Sequence, residues 1–513
     1  MEHRGLRLLI SSLVALVAIQ MQAEAQQLPR LVVCISVDQL RTDYLRELEP
    51  MMDEGGLRRM LRTGRIYDQV DFPLNPINAA SATASIFTGT YPQIHGIEAS
   101  EVYQRSLGRS QGLFVDDNYL GNYTRDNLSP RALLVGTLGD RLKEASGGTA
   151  LVYSVAPTPE QAISSAGIWA DGAYWLDGRI ASWATSNYYP QMLQALERYN
   201  RSDSGPNKRL VSGITWKPLR AYARPSISYS DWGRRFQHRY QAKDAALYRE
   251  SGIVNEEVTN LALQLIEGAG YAERKSPGLL SLSYTARPQG GEELMAEDVD
   301  TYLRLDAELK RLLEALDKRL GLQNCLITLS GTGYTHYTTY KDSKSERLKR
   351  SVRVGRLTAL INMYLTAKHG PGDWISHNAN GRLYLNHKLV ESKKLSLATL
   401  QRDVADFLSA AEGIGRTVPA HELATSSDDY VRRLARSTSV RYQADVYWTV
   451  LPGWQIEDLA SNPELSPVST AIPTPFIVMG QGIQPSAAPL PRIEVRDIVR
   501  IICSHLRIRP PND

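Results

Sequence analysis

Along this chain, short apolar runs alternate with stretches whose apolar residues recur at helical spacing. Leu31–Asp38 is an apolar run rich in β-branched residues that ends on a single acid, and it reads as a buried strand delivering Asp38 to its carboxyl edge. Residues 150–156, 279–285 and 325–330 repeat that character and are predicted to be further strands. Between Gly56 and Gly64, Leu57, Met60 and Leu61 share one helical face, the mark of a packing helix without chemistry of its own. Residues 298–320 give the clearest helix, with Val299, Tyr302, Leu309, Leu312, Leu313, Leu316 and Leu320 on one face and Gly321 as the stop. Ser129 before Pro130 reads as an N-cap with proline at the first helical position. Strands alternating with helices in this way predict an α/β fold, a mostly parallel central sheet between helical layers. No internal repeat is visible.

The remaining stretches are less regular. Residues 173–190 are rich in Tyr and Trp, which suits either a lid or groove wall that stacks on a ligand or a closure of the core edge. Residues 201–250, polar and aromatic with Pro218 and Pro225, read as an extended surface insertion. Residues 341–356 hold seven Lys or Arg against Asp342 and Glu346, a solvated loop or a site for an anionic partner.

At 513 residues with 42% hydrophobic and 22% charged, the chain can bury one large core with inserted subdomains, or two domains. A formal net charge of +4 is small for this size and, without a nucleic-acid motif, argues against a nucleic-acid partner. Arg4 and Arg7, an apolar stretch from Leu8 to Ile19, and Ala23-Glu24-Ala25 form a secretory signal peptide with cleavage expected after Ala25. Its apolar part is too short for a membrane span, and no later segment reads as a transmembrane anchor, so a periplasmic or secreted protein is expected. Cys34, Cys325 and Cys503 are widely spread and odd in number, and read as small core residues rather than a disulfide framework.

An acid at the carboxyl end of a parallel strand is a natural metal or phosphate site, and equally an ordinary cap of the next helix. Two stretches bear on that choice. Val37-Asp38-Gln39-Leu40-Arg41-Thr42-Asp43-Tyr44-Leu45, followed by residues 71–97 with Ala79-Ala80-Ser81, Ser85-Ile86-Phe87-Thr88-Gly89 and His95-Gly96-Ile97, resembles the nucleophile region of the alkaline phosphatase superfamily. The nearest pattern is that of secreted bacterial phosphate monoesterases with a Thr nucleophile, and the match recurs along nearly the whole chain. The resemblance implies an alkaline phosphatase-like core over 26–340 with lid and insertions, after a signal peptide at 1–25. An inserted subdomain over 341–440 and a return to the core over 441–513 complete the expected organisation.

The same resemblance implies a two-zinc centre of three Asp and three His around a hydroxyl nucleophile, clamping the attacking and leaving oxygens of an in-line displacement. Here the nucleophile position falls on Ala79, which has no atom that can attack phosphorus. The positions of an Asp and a His after the strand at 279–285 fall on Ala286 and Gly290. Those after the next strand fall on Gly331 and Thr332, before the turn glycine Gly333. The last His has no counterpart between Ser466 and Thr474, so Asp38 alone survives of six ligands. The substrate-contacting Asn falls on Ser100 and a Lys and Arg pair on Thr158 and Glu160, so a cationic clamp becomes neutral and acidic.

His95 belongs to a structural turn, and His336 to a Tyr-rich loop, from which a metal site with Asp38 is the alternative to a surface role. Ser81 and Thr83 are replacement nucleophiles or, more simply, helix-capping residues. Two function classes follow. The first is a catalytically inactive, exported phosphatase-like protein, with no cofactor and an unidentified ligand, that serves an envelope or secreted assembly through a protein partner. The alternative is an active metal-dependent hydrolase of phosphate or sulfate esters with a rearranged site, in which case zinc is required.

Overall fold

The computed structural model describes residues 28–190, 192–220, 236–289, 294–336, 350–452, 454–457 and 469–512. The signal-peptide segment, Pro225, Gly290 and residues 341–349 of the basic stretch lie outside these.

Among the described residues, nine strands form the central sheet: β1 (Leu31–Asp38), β2 (Arg65–Tyr67), β3 (Gly121–Asn122), β4 (Val152–Ala156), β5 (Gly172–Leu176), β6 (Trp183–Ser186), β7 (Gly278–Thr285), β8 (Cys325–Gly331) and β9 (Phe476–Gly480). Their order across the sheet is β2-β9-β8-β1-β7-β4-β5-β6-β3. The run β8-β1-β7-β4-β5 is parallel throughout, and antiparallel pairings by β9 and β6 finish the two sides. The fold is therefore the expected α/β sandwich, with a parallel centre and mixed edges.

β1 is an unbroken apolar run because both of its faces are covered. Leu31, Val33, Ile35 and Val37 join one apolar layer while Val32 and Cys34 join the other. On the first side lie α1 (Thr42–Leu48), α2 (Leu57–Thr63), α6 (Val254–Gly268) and α7 (Ala296–Leu320), and the predicted leucine stripe of α7 is fully buried there. On the second side lie α3 (Ala79–Thr88), α4 (Leu138–Ala145), α5 (Pro159–Ala166) and α10 (Val495–Leu506). All three cysteines are free and buried, and burial pushes the Cys34 thiol up to about 12. Ser129 does cap as expected, accepting from the Arg131 N–H, but only over one 3-10 turn, and the helix proper starts after Thr137. The aromatic stretch closes the core edge: Tyr174, Trp175 and Trp183 are buried, while the turn at Arg179 and Ile180 and its end near Tyr188 reach the surface.

A second body spans Arg350 to Glu457, with α8 (Val354–His369) and α9 (Leu397–Ser409) against a four-stranded antiparallel sheet and an apolar cluster of its own. Its strands run in the order Ile375–Ala379, Arg382–Leu385, Val446–Val450 and Ile414–Pro419. This corrects the expected return to the core at 441. The run at 446–450 has the pattern of a core strand, yet it pairs inside the subdomain, and the chain re-enters the main sheet only at β9. Two polar clamps join the subdomain to the loops after α3. The buried Glu98 carboxylate pairs with Arg382 and accepts the Ser439 N–H at 2.6 Å. Asp445 accepts from Arg105 at 2.6 Å, from His387 at 2.9 Å and from Gln401 at 3.0 Å.

Candidate functional site

The carboxyl ends of three adjacent strands meet at Asp38. In register, Asp38 lies opposite Thr285 of β7, and Val37 opposite Gly331 of β8. Ala286, just past β7, donates its N–H to the Asp38 carbonyl at 2.8 Å. Of the positions singled out by sequence, Asp38, Ala79, Ala286, Gly331 and Thr332 are thus drawn to one place, as the α/β switch-edge rule expects.

What fills that place is a set of hydrogen-bonded side chains. Asp38 Oδ1 accepts from the Tyr334 hydroxyl at 2.8 Å and from Thr332 Oγ1 at 3.1 Å, and Oδ2 accepts from Gln39 Nε2 at 3.3 Å. Tyr334 is fully buried, with the backbone of Ala79 at the start of α3 close to its hydroxyl. Burial and the Asp38 charge raise the phenol well above its ordinary range, so it stays neutral and donates to the carboxylate. Gln39 is held in the left-handed region at φ 60°, a conformation that costs a non-glycine residue roughly 1–2 kcal/mol. Bonds across the turn offset that cost: its N–H donates to Thr332 Oγ1 at 2.8 Å, and its Oε1 accepts from the His336 N–H at 2.7 Å and Thr335 Oγ1 at 3.3 Å.

Gly331 and Gly333 make this close packing possible. A Cβ at Gly331 would stand 1.8 Å from Thr474 Oγ1 and 3.0 Å from the Cβ atoms of Thr474 and Leu40, so a side chain there would need Thr474 to move. Gly333, at φ 72°, faces Phe72 in the same way. Tyr334, Gln39, Thr335 and Thr474 were not singled out from sequence. The one signal that pointed toward Tyr334 was its tyrosine-rich loop directly after β8.

The centre at Asp38 does not fit the zinc pair that the sequence resemblance implies. It offers one carboxylate, already engaged by three donors, among hydroxyls and an amide. Among the described residues no group of three or more His, Cys, Asp or Glu converges as metal ligands would. His336 lies beside the site with its ring against Tyr334, centroids 4.9 Å apart.

The replacement nucleophiles are enclosed. Ser81 is fully buried in a capping box: its N–H donates to Asn78 Oδ1 at 3.0 Å and its hydroxyl bonds the Asn78 carbonyl at 3.1 Å. Thr83, one turn into α3, is equally buried. His95 Nδ1 accepts the Ile97 N–H at 3.1 Å, which leaves Nε2–H to donate to Ser85 at 3.1 Å. Burial lowers the His95 imidazole to about 3, so it is a fixed neutral donor and cannot act as a base toward Ser85.

The clamp positions sit elsewhere on the same edge. Thr158 caps α5, which packs on α3. Glu160, in the first turn of α5, and Ser100 share the wall of an open cleft of about 360 Å³ with Phe114, Leu128, Arg125 and Asp126. A cleft of this lining places one cation among acids and apolar walls, and it lacks the paired cations that grip a phosphoryl group.

Residues 32–471 match the family described as type I phosphodiesterase / nucleotide pyrophosphatase. The alkaline phosphatase PafA of Elizabethkingia meningoseptica is 29% identical over 403 residues, covering 74% of this chain and 72% of the relative. The alkaline phosphatase PhoV of Synechococcus elongatus is 25% identical over 512 residues, covering 94% and 91%. The crystal structure of wild-type PafA matches with a TM-score of 0.77 at 25% identity, over 95% of this chain and 97% of that one. With the fold and the extent of these matches in agreement, the chain belongs to the type I phosphodiesterase / nucleotide pyrophosphatase family.

Proposed function

We propose that this protein is a non-catalytic member of its family, exported to the cell envelope, where it acts as a binding or structural subunit through a protein partner. The observation that carries the reading is the Tyr334 hydroxyl, which donates to Asp38 at 2.8 Å beside the backbone of Ala79, between a lone carboxylate and a residue without a nucleophile. A metal there would have to displace a neutral phenol from a half-buried carboxylate and find further anionic or imidazole ligands. The positions expected to supply them are Ala286, Gly331, Thr332 and, outside the described residues, Gly290. Losing one oxyanion donor costs an enzyme about 10²–10³ in rate, and a missing nucleophile and metal pair removes most of what remains.

A second reading keeps the protein a metal-dependent hydrolase of phosphate or sulfate esters with a rearranged site, and it is favoured by the matches to PafA and PhoV, both named alkaline phosphatases. One experiment separates the two. Purified protein is analysed for zinc, then assayed with activated aryl phosphate, phosphodiester and sulfate substrates with zinc added. The first reading expects no stoichiometric zinc, no turnover above a buffer blank, and no rescue by Ala79→Thr. Turnover that tracks the protein through purification, with two zincs per chain, would establish the second.

A further inference from the structure

Helix α8 is apolar on two opposite faces. Leu357, Ile361 and Leu365 pack into the subdomain core, while Leu360 at 41% exposure and Met363 at 67% project outward with Ala359 and Ala367. These four lie at the 3–4 spacing of one helical stripe, with Arg356 at its leading end. All sixteen residues of the helix lack Asp and Glu. Cations frame the stripe: Arg350, Arg353 and Arg356 before it and Lys368 after it, with Arg353 also meeting Glu457 at 3.3 Å and Lys368 meeting Asp403 at 2.8 Å.

We propose that this outer face of α8 docks on an anionic lipid surface, with Leu360 and Met363 entering the interface and the framing arginines on the headgroups. An apolar stripe bordered by long cationic side chains is what an interfacial helix presents to a bilayer, because the alkyl stems lie along the acyl boundary while the charges remain at headgroup level. A second copy of the chain suits the face less well. Two α8 helices packed on each other would bring their Arg356 side chains onto a face that carries no Asp or Glu of its own. The proposal goes beyond the reading of the Asp38 site and stands whether or not that site is catalytic.

The test is flotation of the purified protein with phosphatidylcholine vesicles and with vesicles containing phosphatidylglycerol. The expected result is binding to the anionic vesicles only, weakened by added salt, and reduced about tenfold or more by Leu360→Glu with Met363→Glu. Both side chains are already exposed, so the variant's melting curve should match the parent's, and Arg356→Glu provides a second variant that leaves the apolar face intact. Absence of binding to anionic vesicles, or binding that these variants leave unchanged, overturns the proposal. A concentration-dependent dimer that Met363→Glu dissociates, in a protein that ignores vesicles, would also overturn it and assign the face to a second copy.

Discussion

Tyr334→Phe removes one oxygen from the centre of the site and leaves the ring in place. Asp38 Oδ1 then keeps only Thr332 at 3.1 Å, and Oδ2 keeps Gln39 at 3.3 Å, both longer than the 2.8 Å bond that is lost. A hydrogen bond to a charged group contributes about 1.5–3 kcal/mol. The expected destabilisation is about 2–3 kcal/mol, read as a shift of the urea midpoint of the core transition. Tyr284→Phe is the matched control, since that equally buried hydroxyl meets the neutral Thr259 Oγ1 at 3.1 Å and should cost about 0.5–1.5 kcal/mol. A double-mutant cycle of Tyr334→Phe with Asp38→Asn should return a coupling above about 1 kcal/mol. If Tyr334→Phe proves no costlier than the control and the coupling vanishes, the phenol does not plug the carboxylate, and the argument for a non-catalytic centre loses its support.

Two further outcomes follow from buried charges. Arg382→Met strands the Glu98 carboxylate, 0% exposed, with the Ser439 N–H as its remaining partner, and should cost about 3–5 kcal/mol in thermal or urea unfolding. Replacing both, as Glu98→Gln with Arg382→Met, should recover much of that. Burial raises the Asp298 carboxyl from 3.8 to about 7, so between these values the folded state holds a proton that the unfolded state has released. Stability should therefore fall as pH rises through that window, by at most about 1.4 kcal/mol per pH unit from this group, and Asp298→Asn should flatten the midpoint-versus-pH curve.

What the sequence made legible depended on whether the deciding interaction is local. β1 announced itself because a strand covered on both faces has no polar alternation, and α7 because one stripe of leucines repeats over six turns. The run at 446–450 looks the same as a core strand because burial, which local pattern records, does not say which sheet does the burying. The site splits along the same line. Ala79, Gly331 and Thr332 were found through a resemblance in motif, but Tyr334 reaches Asp38 across 296 positions of sequence, and nothing near either residue encodes that meeting.

That meeting also bears on how the strand ends at Asp38 are held together. Three strand ends converge on one half-buried carboxylate, a charge that polar donors beside it stabilise. A metal is one answer, and a shell of hydroxyl, phenol and amide donors is another. Here the shell is built from residues that also fasten the turn after β1 to the loop after β8: Thr332 bonds both Asp38 and the Gln39 N–H, and Gln39 in turn takes the His336 N–H. The Asp38 carboxylate thereby helps tie β1 to β8, a structural role that its place at the strand edge serves with or without a metal.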